Sequence, residues 1–108
     1  VIETPEFERR ASAVMDEAER MELIDFLARH PTAGVSLGAG IRKVRFARAG
    51  RGKRGGYRVI HFYSPEAGSP VVLITVFAKN EKANLTKTET EAVKALGRRL
   101  SEVYRNGS

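Results

Sequence analysis

Residues 41–63, IRKVRFARAGRGKRGGYRVIHFY, constrain the fold more than any other stretch. Both ends have strand character, and the middle carries Gly50, Gly52, Gly55 and Gly56, which weaken any regular element. In residues 41–47 the chain alternates: Val44 and Phe46 share one face, and Lys43 and Arg45 share the other. Residues 56–63 are rich in aromatic and β-branched side chains. There Arg58, Ile60 and Phe62 fall on one face, and Tyr57, Val59, His61 and Tyr63 on the other. The pattern predicts two strands joined by a basic, glycine-rich arm over 48–56. The stretch holds eight of the chain's nineteen Lys and Arg residues and no acid. The nearest carboxylates along the chain are Asp25 and Glu66, so the charge has no local partner.

The rest of the chain builds a support for that stretch. A short edge strand is expected over 1–3. Thr4 followed by Pro5 is a helix start, a capping hydroxyl and then a proline at the first helical position. Phe7, Ala11 and Val14 then fall on one face. Asp16 opens a second helix with Glu19 as its capping-box partner. Its expected apolar stripe is Met21, Ile24, Leu27 and Ala28, widened by Leu23 and Phe26, and Pro31 ends it near Arg29 and His30. Residues 31–40, PTAGVSLGAG, read as a loop. Residues 64–70, SPEAGSP, read as a turn. Residues 71–78 are continuously apolar and read as the central strand, buried on both faces. Three strands with short links predict an antiparallel meander. Thr86 with Glu89 caps a last helix, with Ala92, Val93, Leu96, Leu100, Val103 and Tyr104 as its stripe.

At 108 residues the chain is long enough for one domain with a core that needs no covalent staples. It has no cysteine, which removes disulfides and thiolate metal sites and suits a reducing, cytoplasmic setting. No apolar run is long enough to span a membrane. Net charge is +6, and the charge is segregated: eight of the thirteen acids lie in residues 1–25. Segregated positive charge favours a polyanionic partner, where scattered charge would read as an ordinary solvated surface.

Several chemistries are excluded by spacing. Residues 50–55 match G-x-G-x-x-G, but a strand follows where a dinucleotide site needs a helix, and no G-K-[ST] occurs. His30 and His61 have no metal or catalytic spacing, and His61 reads as a structural histidine within a strand. Carboxylates are too few near the basic face to hold Mg²⁺, so neither a metal nor any other cofactor is expected. What remains is a cationic constellation of Lys43, Arg45, Arg58 and Lys79. Such a face can bind phosphates. It can also cleave RNA without metal, by attack of a ribose 2′-OH on its own 3′-phosphate, given a base, a proton donor and cations on the phosphoryl oxygens. Positive neighbours disfavour an ammonium, so a lysine among arginines is a candidate for proton transfer.

The same run, followed by VVLITVFAKNEKANLT, resembles the RelE/HigB group of bacterial toxins from type II toxin–antitoxin modules, within the RelE/ParE superfamily. The shared pattern is L/I-R-K-hydrophobic-R, a basic glycine loop, G-G-x-R-hydrophobic-I, and a strand ending in a K-N-E segment. With its helices included, the resemblance covers nearly the whole chain. It implies an α+β fold, a small antiparallel sheet flanked by helices as in microbial ribonucleases, in the order β-α-α-β-β-β-α. It implies ribosome-dependent endonucleolytic cleavage of mRNA that inhibits translation, with the ribosome and mRNA as partners. A cognate antitoxin, of helix-turn-helix type, would silence it. By position Arg58 would stabilise the phosphate, Lys43 and Arg45 would be the basic pair of the preceding strand with Lys43 moving the proton, and Lys79 would close the last strand. Arg42, Arg48, Arg51, Lys53, Arg54, Asn80 and Lys82 would grip substrate or ribosome. The chain departs from members that carry an arginine at the Asn80 position and a tyrosine soon after. The acid role then stays open between a lysine, His61 and Tyr57, and His61 or Tyr57 could fill the stacking role. Two other classes stay open: a ParE-like toxin that binds gyrase, and a nucleic-acid-binding module without catalysis.

Overall fold

A computed structural model gives the architecture and describes residues 1–47 and 56–106. The expected ribosome-gripping residues Arg48, Arg51, Lys53 and Arg54 lie outside the described residues. The elements run β1 (Ile2–Glu3), α1 (Pro5–Val14), α2 (Glu17–Arg29), β2 (Val35–Gly38), β3 (Ile41–Phe46), β4 (Tyr57–Phe62), β5 (Val72–Ala78) and α3 (Lys87–Arg105). They form one five-stranded sheet in the order β1-β5-β4-β3-β2. All neighbours are antiparallel except β1, which runs parallel to β5. The α+β class, the flanking helices and the β3-β4-β5 meander are as the sequence predicts.

Helix boundaries follow from capping chemistry. The Thr4 hydroxyl accepts from the Phe7 amide, and Pro5 opens α1. Asp16 with Glu19, and Thr86 with Glu89, form complete capping boxes on α2 and α3. One core lies between α1, α2 and the sheet: Phe7, Ala11, Met15, Leu23 and Leu27 pack on Val44, Tyr57, Val59, Val71, Leu73 and Val76. A second core lies on the opposite face, where Ile41, Ile60, Phe62, Val72, Ile74 and Phe77 meet Val93, Leu96, Leu100 and Tyr104 of α3. Each fully buried large side chain among these contributes roughly 1.5–3 kcal/mol.

Several expectations need correction. Residues 31–40 are not all loop, since Val35–Gly38 forms β2. Ala39 and Gly40, both at positive φ, turn the chain into β3 as a two-residue hairpin loop. β5 is buried on both faces, but the middle strand is β4. The α2 stripe is narrower than expected: Leu23 and Leu27 are buried with Glu19, whereas Met21 and Ala28 are exposed. The 19-23-27 line at i, i+4, i+8 faces the sheet, and the acid on that line meets the Tyr57 hydroxyl. On α3, Ala92 and Val103 are exposed while the rest of the stripe packs. A short 3₁₀ turn, Pro65–Ala67, lies in the expected turn.

One irregularity arranges both cores. The β4–β5 register steps from Ile60–Thr75 to His61–Leu73, passing over Ile74. The bulge changes the phase of β5. Leu73 and Val76 therefore reach the α1/α2 core, while Ile74 and Phe77 reach the α3 core.

Candidate active site

The register of β3 on β4 sets Arg45 opposite Arg58, Lys43 opposite Ile60, and Ile41 opposite Phe62. Directly opposed residues of an antiparallel pair project from the same face. Lys43, Arg45 and Arg58 thus stand on the face that α3 covers at its other end, over Ile41, Ile60 and Phe62. Helix α3 sits close there because Gly97 has no side chain: a Cβ at that position would lie 2.3 Å from the Ala39 carbonyl oxygen and 2.9 Å from Ile41 Cγ1. The cationic half of the face carries no such cover, and Arg45 is exposed.

A cleft of about 510 Å³ opens on this half. Its walls include Gly34 and Val35 at the start of β2, Lys43 and Arg45 on β3, Arg58 on β4, and Asn84 from the segment between β5 and α3. Among the described residues, no carboxylate lines it. Arg58 Nη1 is buried without a hydrogen-bond partner among the described residues. A cationic donor stripped of water and left unpaired is costly. Like charges directly opposed across a sheet are also unfavourable. Both penalties fall when an acceptor-rich anion enters between Arg45 and Arg58. A cleft with these groups is able to take up an anion such as a phosphate.

Asn84 is the residue that sequence reasoning missed. Lys43 Nζ donates to Asn84 Oδ1 at 3.0 Å across 41 positions of sequence. The segment that carries it is tied at both ends. Glu81 accepts from the Ala78 amide at 2.9 Å and from Arg10 at 2.5 Å. Lys82 donates to both oxygens of Glu89, each at 2.6 Å, and its ammonium lies 5.0 Å from the centre of the Phe77 ring. These bonds hold the Glu89 carboxyl below the usual carboxylate range, and the Thr86 amide adds to the effect. The K-N-E signal drew attention to the start of this segment, whereas the residue that reaches the cleft comes four positions after Asn80.

The remaining expected residues are dispersed. Lys79 and Asn80 are exposed in the turn after β5 and are not among the cleft walls. Lys82 is engaged by Glu89 on the other side of that segment. Arg42 projects from the opposite sheet face and donates to the Ala33 and Gly34 carbonyl oxygens, at 3.2 Å and 2.9 Å. It therefore supports the cleft wall from behind. Tyr57 also points away from the cleft. It is fully buried, with its hydroxyl 2.9 Å from the Val14 carbonyl oxygen and 3.0 Å from Glu19 Oε1.

His61 shares that buried face. Its Nε2 lies 3.3 Å from the Ala33 carbonyl oxygen, which can only accept, so Nε2 carries the proton. Burial pushes the pKa of His61 down to about 4; the Ala33 bond opposes this and the Arg42 charge adds to it. His61 is thus a neutral packing residue near neutral pH, as its place within a strand predicts. Neither it nor Tyr57 faces the cationic cleft.

Among the described residues, no group of three or more His, Cys, Asp and Glu side chains could hold a metal ion, and no helix is long and apolar enough to cross a membrane. The family model described as the RelE toxin of the RelE/RelB toxin–antitoxin system matches residues 2–107. That match spans both cores, all five strands and the whole cationic cleft. The chain belongs to the RelE toxin family, as the toxin half of a toxin–antitoxin pair.

Proposed function

We propose that the chain is a ribosome-dependent endoribonuclease that cuts mRNA without metal and so stops translation. The observation that carries this reading is the carboxylate-free cleft in which Lys43, Arg45 and Arg58 converge on the uncovered half of one sheet face. The general activity of the family points the same way. In this scheme the scissile phosphate sits between Arg45 and Arg58, whose guanidinium groups donate to its non-bridging oxygens. Lys43, reacting as the neutral amine, takes the proton from the adjacent ribose 2′-OH. The 2′-oxygen bonds to phosphorus, the bond from phosphorus to the 5′-oxygen breaks, and the leaving oxygen takes a proton from water. The products are a 2′,3′-cyclic phosphate and a 5′-hydroxyl. The ribosome presents the message, and a RelB-type antitoxin, with a helix-turn-helix DNA-binding part, silences the protein in the cytoplasm.

Expression in bacteria, with primer extension on cellular mRNA, tests the reading. Wild type is expected to arrest growth and leave cuts at ribosome-protected codons. Arg58→Ala is expected to lower single-turnover cleavage roughly 100-fold, the scale of removing one preorganised charge-stabilising donor. Growth arrest with a DNA-damage response and intact mRNA would overturn the reading in favour of a gyrase-binding toxin.

A further inference from the structure

The carboxamide of Asn84 is held in one orientation by groups that leave it no choice. Its Oδ1 accepts from Lys43 Nζ at 3.0 Å and from the Leu85 amide at 2.9 Å. The Leu85 backbone amide can only donate, so the atom facing it and Lys43 is the oxygen and not the amide nitrogen. The two acceptor sites of Oδ1 are thereby filled. The Nδ2 group has no hydrogen-bond partner among the described residues, and Asn84 lines the cleft together with Arg45 and Arg58. The side chain is exposed, so these donors are open to a ligand.

The segment around it is not free to carry the amide elsewhere. Glu81 is bonded to the end of β5 and to Arg10 of α1, and Lys82 and Thr86 are bonded to Glu89 of α3. Asn84 therefore sits on a strap fixed to three elements. Its amide adds two neutral donors to a cleft that already holds three cations. Its polar side chains offer their free hydrogen-bonding groups as donors, most of them charged, which favours an acceptor-only group. Nucleobases present donors as well as acceptors, whereas a phosphodiester presents acceptors alone.

We propose that Asn84 binds the scissile phosphate directly, with Nδ2 donating to a non-bridging oxygen while Oδ1 holds Lys43 beside the ribose. Asn84 thus belongs to the phosphate site. The proposal rests on the endoribonuclease reading for its substrate. The cleft itself argues only for a phosphodiester.

Two substitutions separate the two halves of the side chain. Asn84→Asp keeps an acceptor for Lys43 and for the Leu85 amide but replaces the donor group with an anionic oxygen. Asn84→Ala removes both functions. Each variant is first checked by thermal melting against wild type, and then assayed in single-turnover cleavage of a message on purified ribosomes. Asn84→Ala is expected to be slower by roughly 10- to 100-fold, the effect of one hydrogen bond to a charged group. Asn84→Asp is expected to be slower still. If Asn84→Asp cleaves like wild type, the amide only positions Lys43 and the proposal fails. It fails equally if Asn84→Ala cleaves like wild type.

A second measurement does not depend on catalysis. The side-chain amide signals of Asn84 in ¹⁵N-labelled protein are followed during titration with an RNA oligonucleotide carrying 2′-deoxy substitutions, which cannot be cleaved. Movement of both Nδ2 proton signals supports the contact even if wild type proves inactive on ribosomes, an outcome that would sink the endoribonuclease reading alone. Stationary Asn84 signals beside moving Arg58 Nε–H signals would overturn the proposal and leave the reading intact.

Discussion

The sequence offers two readings of His61, a structural residue of its strand and an auxiliary to the site. It sits on the strand that carries Arg58, three residues away, yet it faces the α1/α2 core. Its folded-state pKa of about 4 lies below the ordinary value of 6.5. The unfolded chain therefore takes up a proton first as pH falls. Stability is fully present above about pH 6.5, declines between there and about pH 4, and levels off below, for a total of up to about 3 kcal/mol. Urea titrations across that range are expected to show the decline in wild type and to lose this component in His61→Gln. A decline unchanged in the variant would remove His61 as its source. Tyr57→Phe tests the neighbouring bond. It leaves the buried Glu19 carboxylate without the Tyr57 hydroxyl, and about 1–2 kcal/mol of stability should be lost in the same titration.

At the level of elements, the seating of α3 decides how much of the sheet is covered. Gly97 lets the helix approach the Ala39–Gly40 turn and Ile41, and a methyl group there meets backbone that cannot move aside easily. Gly97→Ala should therefore destabilise the fold by about 1–3 kcal/mol, although alanine is the better helix former. A melting temperature equal to or above wild type would show that the helix has room. Much at this scale was legible in the sequence. Thr4-Pro5, Asp16 with Glu19 and Thr86 with Glu89 each placed a helix start, because capping is local chemistry read within four residues. The alternation in β3 put Lys43 and Arg45 on one face and Val44 on the other. β2 was not legible: V-S-L is too short for periodicity to emerge, and the glycines beside it resemble a loop until Ala39 and Gly40 are seen to close a hairpin. Asn84 was hidden for a different reason. Its partner Lys43 is distant in sequence, and only the folded strap between β5 and α3 brings the two together.

For the molecule as a whole, charge and cover are divided between the sheet's two faces. One face lies under α1 and α2; the other lies under α3 at one end only, and the cationic cleft occupies the bare end. The proposed phosphate site should respond to salt. Binding of the free protein to a single-stranded RNA oligomer is expected to weaken linearly on a log–log plot against salt. Arg45→Ala should reduce the slope by about 0.7, one phosphate contact's worth. An unchanged slope would place Arg45 outside the contact.

The facing of Arg45 and Arg58 across β3 and β4 has a consequence for heredity. Two like charges set side by side weaken the folded chain, by roughly 0.5 kcal/mol. In the proposed mechanism the same pair carries the toxicity. Cells that survive forced expression without antitoxin will be enriched for changes at these codons, and some of the surviving proteins, Arg45→Thr for example, should melt at a higher temperature than the parent. Harmlessness and heat resistance would then arrive in a single step, so the poison persists only while a lineage is selected to keep it.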